Sequence, residues 1–270
     1  MFHFIGLLGL FAGTLEPTQA KTCLRAAYPA IVCDVAGADV VFCDGRRVPF
    51  EDGRRNKTHQ QQLDTADVAE QLTQPYRLGR PQSPPAVDEE PGRIRSQAFL
   101  SAVYGQGRKA VRTHLATVRW MPRYNGKKLK VTTIGGVHLK LRAVSRELQK
   151  LPPSMARLAA HVSGTFVHRH IRGTKRLSAH AFAIAIDVAV KKSDYWRWRK
   201  PDRHGHYAYR NRIPFEIVQI FERNGFIWGG KWYRFDTMHF EYRPELVLPE
   251  CQRLWRTKPS PRDEKGSLGR

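Results

Sequence analysis

Hydrophobic residues recur at helical spacing in two stretches of the second half of the chain. Between residues 137 and 151 they return every three or four positions, which predicts an amphipathic helix. They are Val137, Leu141, Val144, Leu148 and Leu151. Pro152 and Pro153 end this helix, because proline lacks a backbone donor and clashes with the preceding turn. A second helix is predicted from Pro214 to the residue before Gly225. Its apolar positions are Ile217, Ile220 and Phe221.

Three other stretches predict β-structure. Residues 183–190, AIAIDVAV, combine small and branched side chains and predict a buried strand. Residues 38–50 hold Asp44-Gly45 between two short apolar runs, which is typical of a hairpin. The aromatic-rich residues 225–242 favour paired strands. Helices and strands do not alternate as βαβ units, so the pattern predicts an α+β fold.

Composition changes along the chain and predicts five segments. They are 1–20, a signal peptide; 21–75, a small segment with the hairpin; 76–95, a linker rich in proline, glycine and charge; 96–250, the main domain; and 251–270, a basic tail. The signal peptide rests on an apolar run over residues 1–13 that is too short to span a bilayer. A buried N-terminal strand and an uncleaved anchor are the alternatives.

The four cysteines agree with export. Cys23, Cys33, Cys43 and Cys251 form an even set without a CxxC pair, which favours disulfides in an oxidising compartment over a zinc ribbon or a redox motif. Three pairings are open. Four free thiols in a cytosolic protein are the alternative.

Charge is concentrated in the second part of the chain. The net charge is +22, yet residues 21–95 are neutral, while residues 96–270 hold 35 basic and 12 acidic side chains. Such an excess favours an anionic partner, which could be nucleic acid, cell wall or lipid headgroups.

Two short motifs contain the candidate chemistry. RLSAHAFAIAID holds His180 and Asp187, and DTMH holds Asp236 and His239. Two imidazoles and a carboxylate can hold zinc with a fourth position open, and Asp236, within a turn of His239, can serve as a proton acceptor. His180 and Asp187 would lie on opposite faces of a straight strand, so the chain must turn after His180.

Each of these residues also has a structural interpretation. His180 can be a hydrogen-bonded loop histidine, and Asp187 can be a polar residue at a strand end. Asp187 nevertheless lies within an apolar run, and a buried carboxylate needs a cation or donors. Glu241 can support the site or lie on the surface, whereas the pair His204 and His206 favours an exposed loop.

The two motifs together resemble a known family. SAHAFAIAID resembles the SxHxxGxAxD signature of the zinc D-alanyl-D-alanine carboxypeptidases and L-alanyl-D-glutamate endopeptidases, the VanY-like peptidases. GFIWGGKWYRFDTMHFEY resembles their second signature, which ends in (D/E)xxH. The resemblance implies a Hedgehog/DD-peptidase-like fold, in which helices flank a small antiparallel sheet with a zinc site, and makes residues 96–250 the zinc peptidase domain.

The resemblance also implies roles for individual residues. It makes His180, Asp187 and His239 the zinc ligands. Asp236 matches the general base, Arg169 the arginine that polarises the scissile carbonyl, and Ser178 a structural serine. The family's glycine is Ala183 here, which costs about 1 kcal/mol if the position requires a positive φ.

The expected function is hydrolysis of an amide bond in peptidoglycan stem peptides by a periplasmic or secreted bacterial enzyme. D-Ala-D-Ala carboxypeptidase activity is favoured over L-Ala-D-Glu endopeptidase activity. The expected partners are peptidoglycan peptides and the anionic envelope, with no specific nucleic acid and no membrane span after signal removal. A non-catalytic, zinc-containing cell-wall-binding module and a nucleic-acid binder are the alternatives.

Overall fold

The computed structural model describes residues 17–256. Within them, helices surround three small antiparallel sheets, so the predicted α+β class is confirmed. Most of the predicted signal peptide and the end of the predicted tail lie outside the described residues. Among the described helices, none has the length and apolarity that crossing a bilayer requires.

The N-terminal segment forms the first sheet between short helices. Its elements are α1 (Pro17–Ala27), β1 (Val32–Ala36), β2 (Asp39–Phe42), β3 (Arg47–Pro49), α2 (His59–Thr65) and α3 (Val68–Gln71). Strands β2 and β3 pair antiparallel around Asp44-Gly45, so the predicted hairpin is confirmed. Gly45 has a φ of +85°, which explains the glycine in this turn.

The middle of the chain packs helices against a two-stranded sheet. Its elements are α4 (Gln97–Tyr104), α5 (Gly107–Thr113), β4 (Leu115–Trp120), β5 (Lys127–Thr132), α6 (Val137–Leu148) and α7 (Pro153–Ala160). Helix α6 buries the predicted apolar positions from Val137 to Leu148 but ends three residues before Leu151. Pro152 explains the early end, because a residue before proline disfavours the helical conformation. The same proline caps α7.

The C-terminal sheet has the strand order β6-β8-β7. The elements of this region are β6 (Ala185–Asp187), α8 (Phe215–Arg223), β7 (Phe226–Trp228), β8 (His239–Tyr242), α9 (Pro244–Val247) and α10 (Pro249–Arg256). Helix α8 starts after Pro214, as predicted, and its Phe221 stacks on Phe240 of β8 with ring centroids 3.9 Å apart. Apolar stacking therefore holds α8 against the central strand of this sheet.

Strand β6 is shorter than the predicted strand over residues 183–190. Ala183 and Ala189 have φ angles of 57° and 55°, in the left-handed region, and these two residues break the extended backbone on both sides. The stretch is buried as predicted, apart from the half-buried Asp187 and Val190. The prediction of burial is thus confirmed, while the predicted length was wrong.

Two disulfides resolve the open pairing of the cysteines. Cys33 pairs with Cys43 inside the N-terminal segment, and Cys23 of α1 pairs with Cys251 of α10. Residues 251–256, assigned to the tail from the sequence, therefore lie in α10. Trp255 is also buried there, so the helix packs against the rest of the protein.

The stretch predicted as a linker has no helix or strand but is not free in solvent. Tyr76 and Ile94 are buried, and Glu90 is fully buried against Arg93 and Arg234. Tyr76 donates a hydrogen bond to Glu222 of α8 at 2.7 Å. These contacts attach residues 76–95 to the C-terminal part of the fold.

The left-handed conformation of Ala183 gives a stability prediction. Ala183→Gly and Ala185→Gly each remove one buried methyl group, but only Ala183 has a positive φ. We expect Ala183→Gly to be more stable than Ala185→Gly by about 1–2 kcal/mol, the cost of a left-handed L-residue. Chemical denaturation of both variants measures the difference. Equal free energies of unfolding would show that Ala183 is not strained.

Candidate metal centre and cleft

Pairing of β6 with β8 brings the first two candidate ligands together. The antiparallel register places Asp187 directly opposite His239. Residues opposite each other on neighbouring strands point to the same face of a sheet, about 5 Å apart. The register therefore aligns the carboxylate with the imidazole, and Asp187 Oδ1 lies 3.0 Å from His239 Nδ1.

His180 reaches the same point through a turn. It lies in a 3-10 helix over Ala179–Phe182, whose N-cap Ser178 accepts a hydrogen bond from the His180 backbone. The left-handed Ala183 then reverses the chain into β6. His180 Nε2 consequently lies 3.2 Å from Asp187 Oδ1, so the turn predicted after His180 is present.

The three side chains form a compact donor set. One donor atom from each of His180, Asp187 and His239 lies within 4.8 Å of the other two. The centroids of the two imidazole rings are 5.2 Å apart, and the ring planes are inclined by 61°. Two imidazole nitrogens and one carboxylate oxygen form a set that zinc uses when one position stays open.

In each imidazole the outer nitrogen, which faces away from Asp187, already has a hydrogen-bond partner. His180 Nδ1 lies 2.8 Å from the carbonyl oxygen of Thr165, and His239 Nε2 lies 3.2 Å from Glu241 Oε2. A carbonyl or carboxylate oxygen only accepts, so these outer nitrogens carry the protons. Each outer nitrogen can therefore keep its proton while the inner nitrogen, 3.2 Å from Asp187 Oδ1 in His180 and 3.0 Å in His239, gives up its own and ligates a metal. The residues fit a zinc ion.

Electrostatics keep this cluster charged. Burial opposes ionisation of Asp187, but His180 and His239 outweigh it and hold the pKa of Asp187 well below its usual range. Burial also opposes a charge on His239, whereas hydrogen bonds to Asp187 and Glu241 raise its pKa to about 10. The pocket thus favours an anionic carboxylate beside a cation, which can be a proton or a metal ion.

Asp236 enters the same cleft from the segment before β8. Its backbone forms an isolated antiparallel bridge with Tyr195. Its Oδ1 atom is buried and finds no hydrogen-bond partner among the described residues. Burial, reinforced by the charge of Asp187 and opposed by His239, raises the pKa of Asp236 to about 6. A buried carboxylate without a donor is suited to accept a proton from a reactant in the cleft.

A close backbone approach explains the glycines of the WGG motif. A Cβ atom on Gly229 would lie 2.5 Å from the Asp236 carbonyl oxygen, and one on Gly230 would lie 2.1 Å from the Trp228 ring. The Asp236 amide also donates to the Gly229 carbonyl at 2.9 Å. Glycine at these positions therefore lets the Asp236 segment pack against the turn after β7.

Arg169 lies at the cleft but does not contact the donor set of His180, Asp187 and His239. Its side chain is exposed and lines the same cavity as His180, Asp187, Asp236 and His239. Its backbone carbonyl accepts the Ser178 amide at 3.0 Å, which attaches the arginine segment to the loop of His180. The guanidinium group has no partner within the described residues and is available to a ligand.

Several residues that line the cleft were not predicted from the sequence. They are Arg93, Arg95, Tyr195, Trp196 and Arg234. Arg93 and Arg95 lie in residues 76–95, which were predicted to be a linker. Trp232 is 5% exposed and lines the cleft, with its ring 5.6 Å from that of His239.

Two open interpretations are resolved by burial. Glu241 is 1% exposed and bonded to His239, so it supports the site rather than lying on the surface. His204 and His206 are exposed on a loop, as expected.

Comparison with known proteins supports the motifs. Residues 172–242 match the family model described as D-alanyl-D-alanine carboxypeptidase. The predicted family is confirmed over this segment. The peptidase match includes His180, Asp187, Asp236 and His239 and begins just after Arg169. No curated protein and no solved structure gives a significant match to the chain.

Metal titration tests the donor set. We expect the metal-free protein to bind one equivalent of Zn²⁺ and His239→Ala to lose this binding, because two ligands do not hold zinc tightly. His206→Ala, an exposed histidine, is the matched control. Equilibrium dialysis with elemental analysis measures the stoichiometry. Unchanged zinc content in His239→Ala would exclude the site.

Proposed function

We propose that the protein is a zinc-dependent peptidase that hydrolyses an amide bond in peptidoglycan stem peptides. The family match supports a peptidase of this class, and the donor set fits the metal. The observation that carries the proposal is Asp236, whose Oδ1 atom is buried without a hydrogen-bond partner among the described residues, in the cleft of the His180, Asp187 and His239 set. Burial of a carboxylate oxygen without a donor costs free energy, and a module that only binds the cell wall has no use for such a group.

The chain's own residues account for the proton transfers. His180, Asp187 and His239 would hold a zinc ion, which would supply Lewis-acid activation of the water nucleophile and of the scissile carbonyl. Asp236 accepts a proton from the water as the water oxygen forms a bond to the carbonyl carbon. The same carboxyl group then delivers that proton to the amide nitrogen as the C–N bond breaks. The raised pKa of Asp236, about 6, suits both steps near neutral pH.

Arg169 and the aromatic walls position the peptide. The exposed guanidinium of Arg169 would donate to the scissile carbonyl oxygen and stabilise the negative charge that develops there. Trp196, Trp232 and Tyr195 border the cleft and would exclude water from the bound peptide. The Thr165 carbonyl and Glu241 would keep the His180 and His239 rings oriented through their outer nitrogens.

We favour cleavage of the terminal D-Ala-D-Ala bond over the L-Ala-D-Glu bond. The description of the matched family supports the carboxypeptidase activity. The proposed fold type is Hedgehog/DD-peptidase-like, which is supported by the three-stranded antiparallel sheet that holds two of the ligands.

We also propose that the protein works in the bacterial periplasm or outside the cell, after removal of residues 1–20. The two disulfides are consistent with a protein outside the cytoplasm. The excess of basic side chains in residues 96–270 would concentrate the enzyme at an anionic envelope. Salt would weaken this attraction without changing the cleft.

Replacement of the base tests the mechanism. Asp236→Asn keeps the size of the side chain but cannot accept the proton, so we expect cleavage of purified muropeptides to slow by about 100-fold to 10,000-fold. Zinc content should stay at one equivalent, because Asp236 is not a ligand. Asp202→Asn, an exposed loop carboxylate, is the control. Full activity of Asp236→Asn would remove this residue from the mechanism.

The products identify the bond. Mass analysis of the same digests should show loss of a terminal D-Ala, whereas a cut beside D-Glu would indicate endopeptidase action. A chelator should stop either reaction. A zinc-loaded protein that cleaves neither bond would contradict the proposal in favour of a binding module.

A further inference from the structure

A row of charged side chains extends from the metal centre into the protein. His239, Glu241 and Arg243 alternate along β8 and its end, so all three point to one face of the sheet. Phe240 and Tyr242 point to the opposite face and pack in the core. Glu241 and Arg243 are at most 1% exposed, although charged residues are seldom buried so deeply.

Direct contacts join this row into one chain of hydrogen bonds. Glu241 Oε2 lies 3.2 Å from His239 Nε2, and Glu241 Oε1 accepts from Arg243 at 2.9 Å. Arg243 Nε donates to Glu245 of α9 at 2.6 Å. The charges alternate in sign, so each one compensates the next in a medium of low dielectric constant. We call this row of four residues the relay; it consists of His239, Glu241, Arg243 and Glu245.

The relay ends on the N-terminal segment. Tyr28, directly after α1, donates its hydroxyl to Glu245 Oε2 at 2.8 Å. Gln71 of α3 donates its amide to Glu245 Oε1 at 3.0 Å. Tyr28, Gln71 and Glu245 are at most 1% exposed, so water does not replace these donors. The far end of the relay is satisfied by residues more than 160 positions away in sequence.

A covalent bond holds this junction together. Cys23 of α1 is bonded to Cys251 of α10, and the Cys23 sulfur also lies 3.3 Å from the Glu245 backbone carbonyl. Helix α1 therefore packs directly on α9, which carries Glu245. The contact is part of one hydrophobic cluster that also includes Tyr28 and Leu246.

We propose that Tyr28 and Gln71 are positioning residues, which act through Glu245, Arg243 and Glu241 to fix the orientation of the His239 ring. The N-terminal segment is then a working part of the peptidase rather than a separate module. The inference rests on the proposed function only in taking His239 as a zinc ligand. Groups that hydrogen-bond to a ligating histidine set its orientation and basicity. Loss of a donor to Glu245 should therefore loosen the orientation of His239 and weaken metal binding.

Paired tyrosine variants separate positioning from stability. Tyr28→Phe removes the hydroxyl donor to Glu245 and leaves the ring. Tyr76→Phe removes an equally buried hydroxyl, which donates to Glu222 at 2.7 Å and accepts from the Trp228 amide at 3.0 Å; neither partner belongs to the relay. Tyr76→Phe should lose at least as much thermal stability as Tyr28→Phe, because it leaves the Trp228 amide without its partner. In the full chain, only Tyr28→Phe should weaken Zn²⁺ binding in a chelator competition, by about threefold to tenfold, less than the 10-fold to 100-fold known for directly bonded partners.

A spectroscopic measurement gives a second readout. Co²⁺ in place of Zn²⁺ has visible absorption bands that depend on ligand geometry, and Tyr28→Phe should shift them while Tyr76→Phe should not. Glu241→Gln, next to the ligand, should shift them further. With muropeptides, kcat should fall in Tyr28→Phe and KM should stay constant.

If Tyr28→Phe and Tyr76→Phe have the same Zn²⁺ affinity and the same Co²⁺ spectrum as the wild type, the relay serves stability alone. Affinity and spectrum need no substrate, so they decide the inference even if the wild type binds Zn²⁺ but cleaves no stem peptide. That second result would overturn the proposed function instead.

Discussion

The register between β6 and β8 is the constraint on which the site depends. It places Asp187 opposite His239, and a slip of one residue would turn one of the two side chains to the other face of the sheet. The left-handed Ala183 belongs to the same constraint, because it is the turn that lets His180 reach Asp187. A backbone strained at one alanine is tolerated because the paired strands around it are buried.

Burial of charge shapes the rest of the centre. Removing a carboxylate or a guanidinium group from water is expensive, so each buried charge must meet an opposite one or a donor. Glu241 and Arg243 meet opposite charges within the relay, although Arg243 Nη2 finds no hydrogen-bond partner among the described residues, and Asp187 lies against two imidazoles. Asp236 is different, because its Oδ1 atom is buried without a donor among the described residues. The unsatisfied group lies where a reactant would enter, which is the expected place for a group kept for chemistry.

Local patterns in the sequence predicted the elements well, whereas long-range contacts were out of reach. Spacing alone located α6, and Pro214 located the start of α8, because both depend on neighbours within a few residues. The short length of β6 was missed, since nothing in the letters AIAIDVAV shows that two alanines have positive φ. The four central residues were found through two motifs, but Arg93 and Arg95 were not. They reach the cleft only because residues 76–95 pack on the C-terminal part.

The pairing of Cys23 with Cys251 joins these arguments. The two residues are 228 positions apart, so no local signal could predict the bond. In the chain-entropy account, a disulfide that closes a loop of this length restricts the unfolded chain and so stabilises the folded state by roughly 5 kcal/mol. The bond fixes α1 against α9 and α10, where Tyr28 meets Glu245. An oxidising compartment would therefore strengthen the contact at which the relay ends, and under the proposal that the relay orients His239 this would link the place where the protein folds to the geometry of the candidate metal centre.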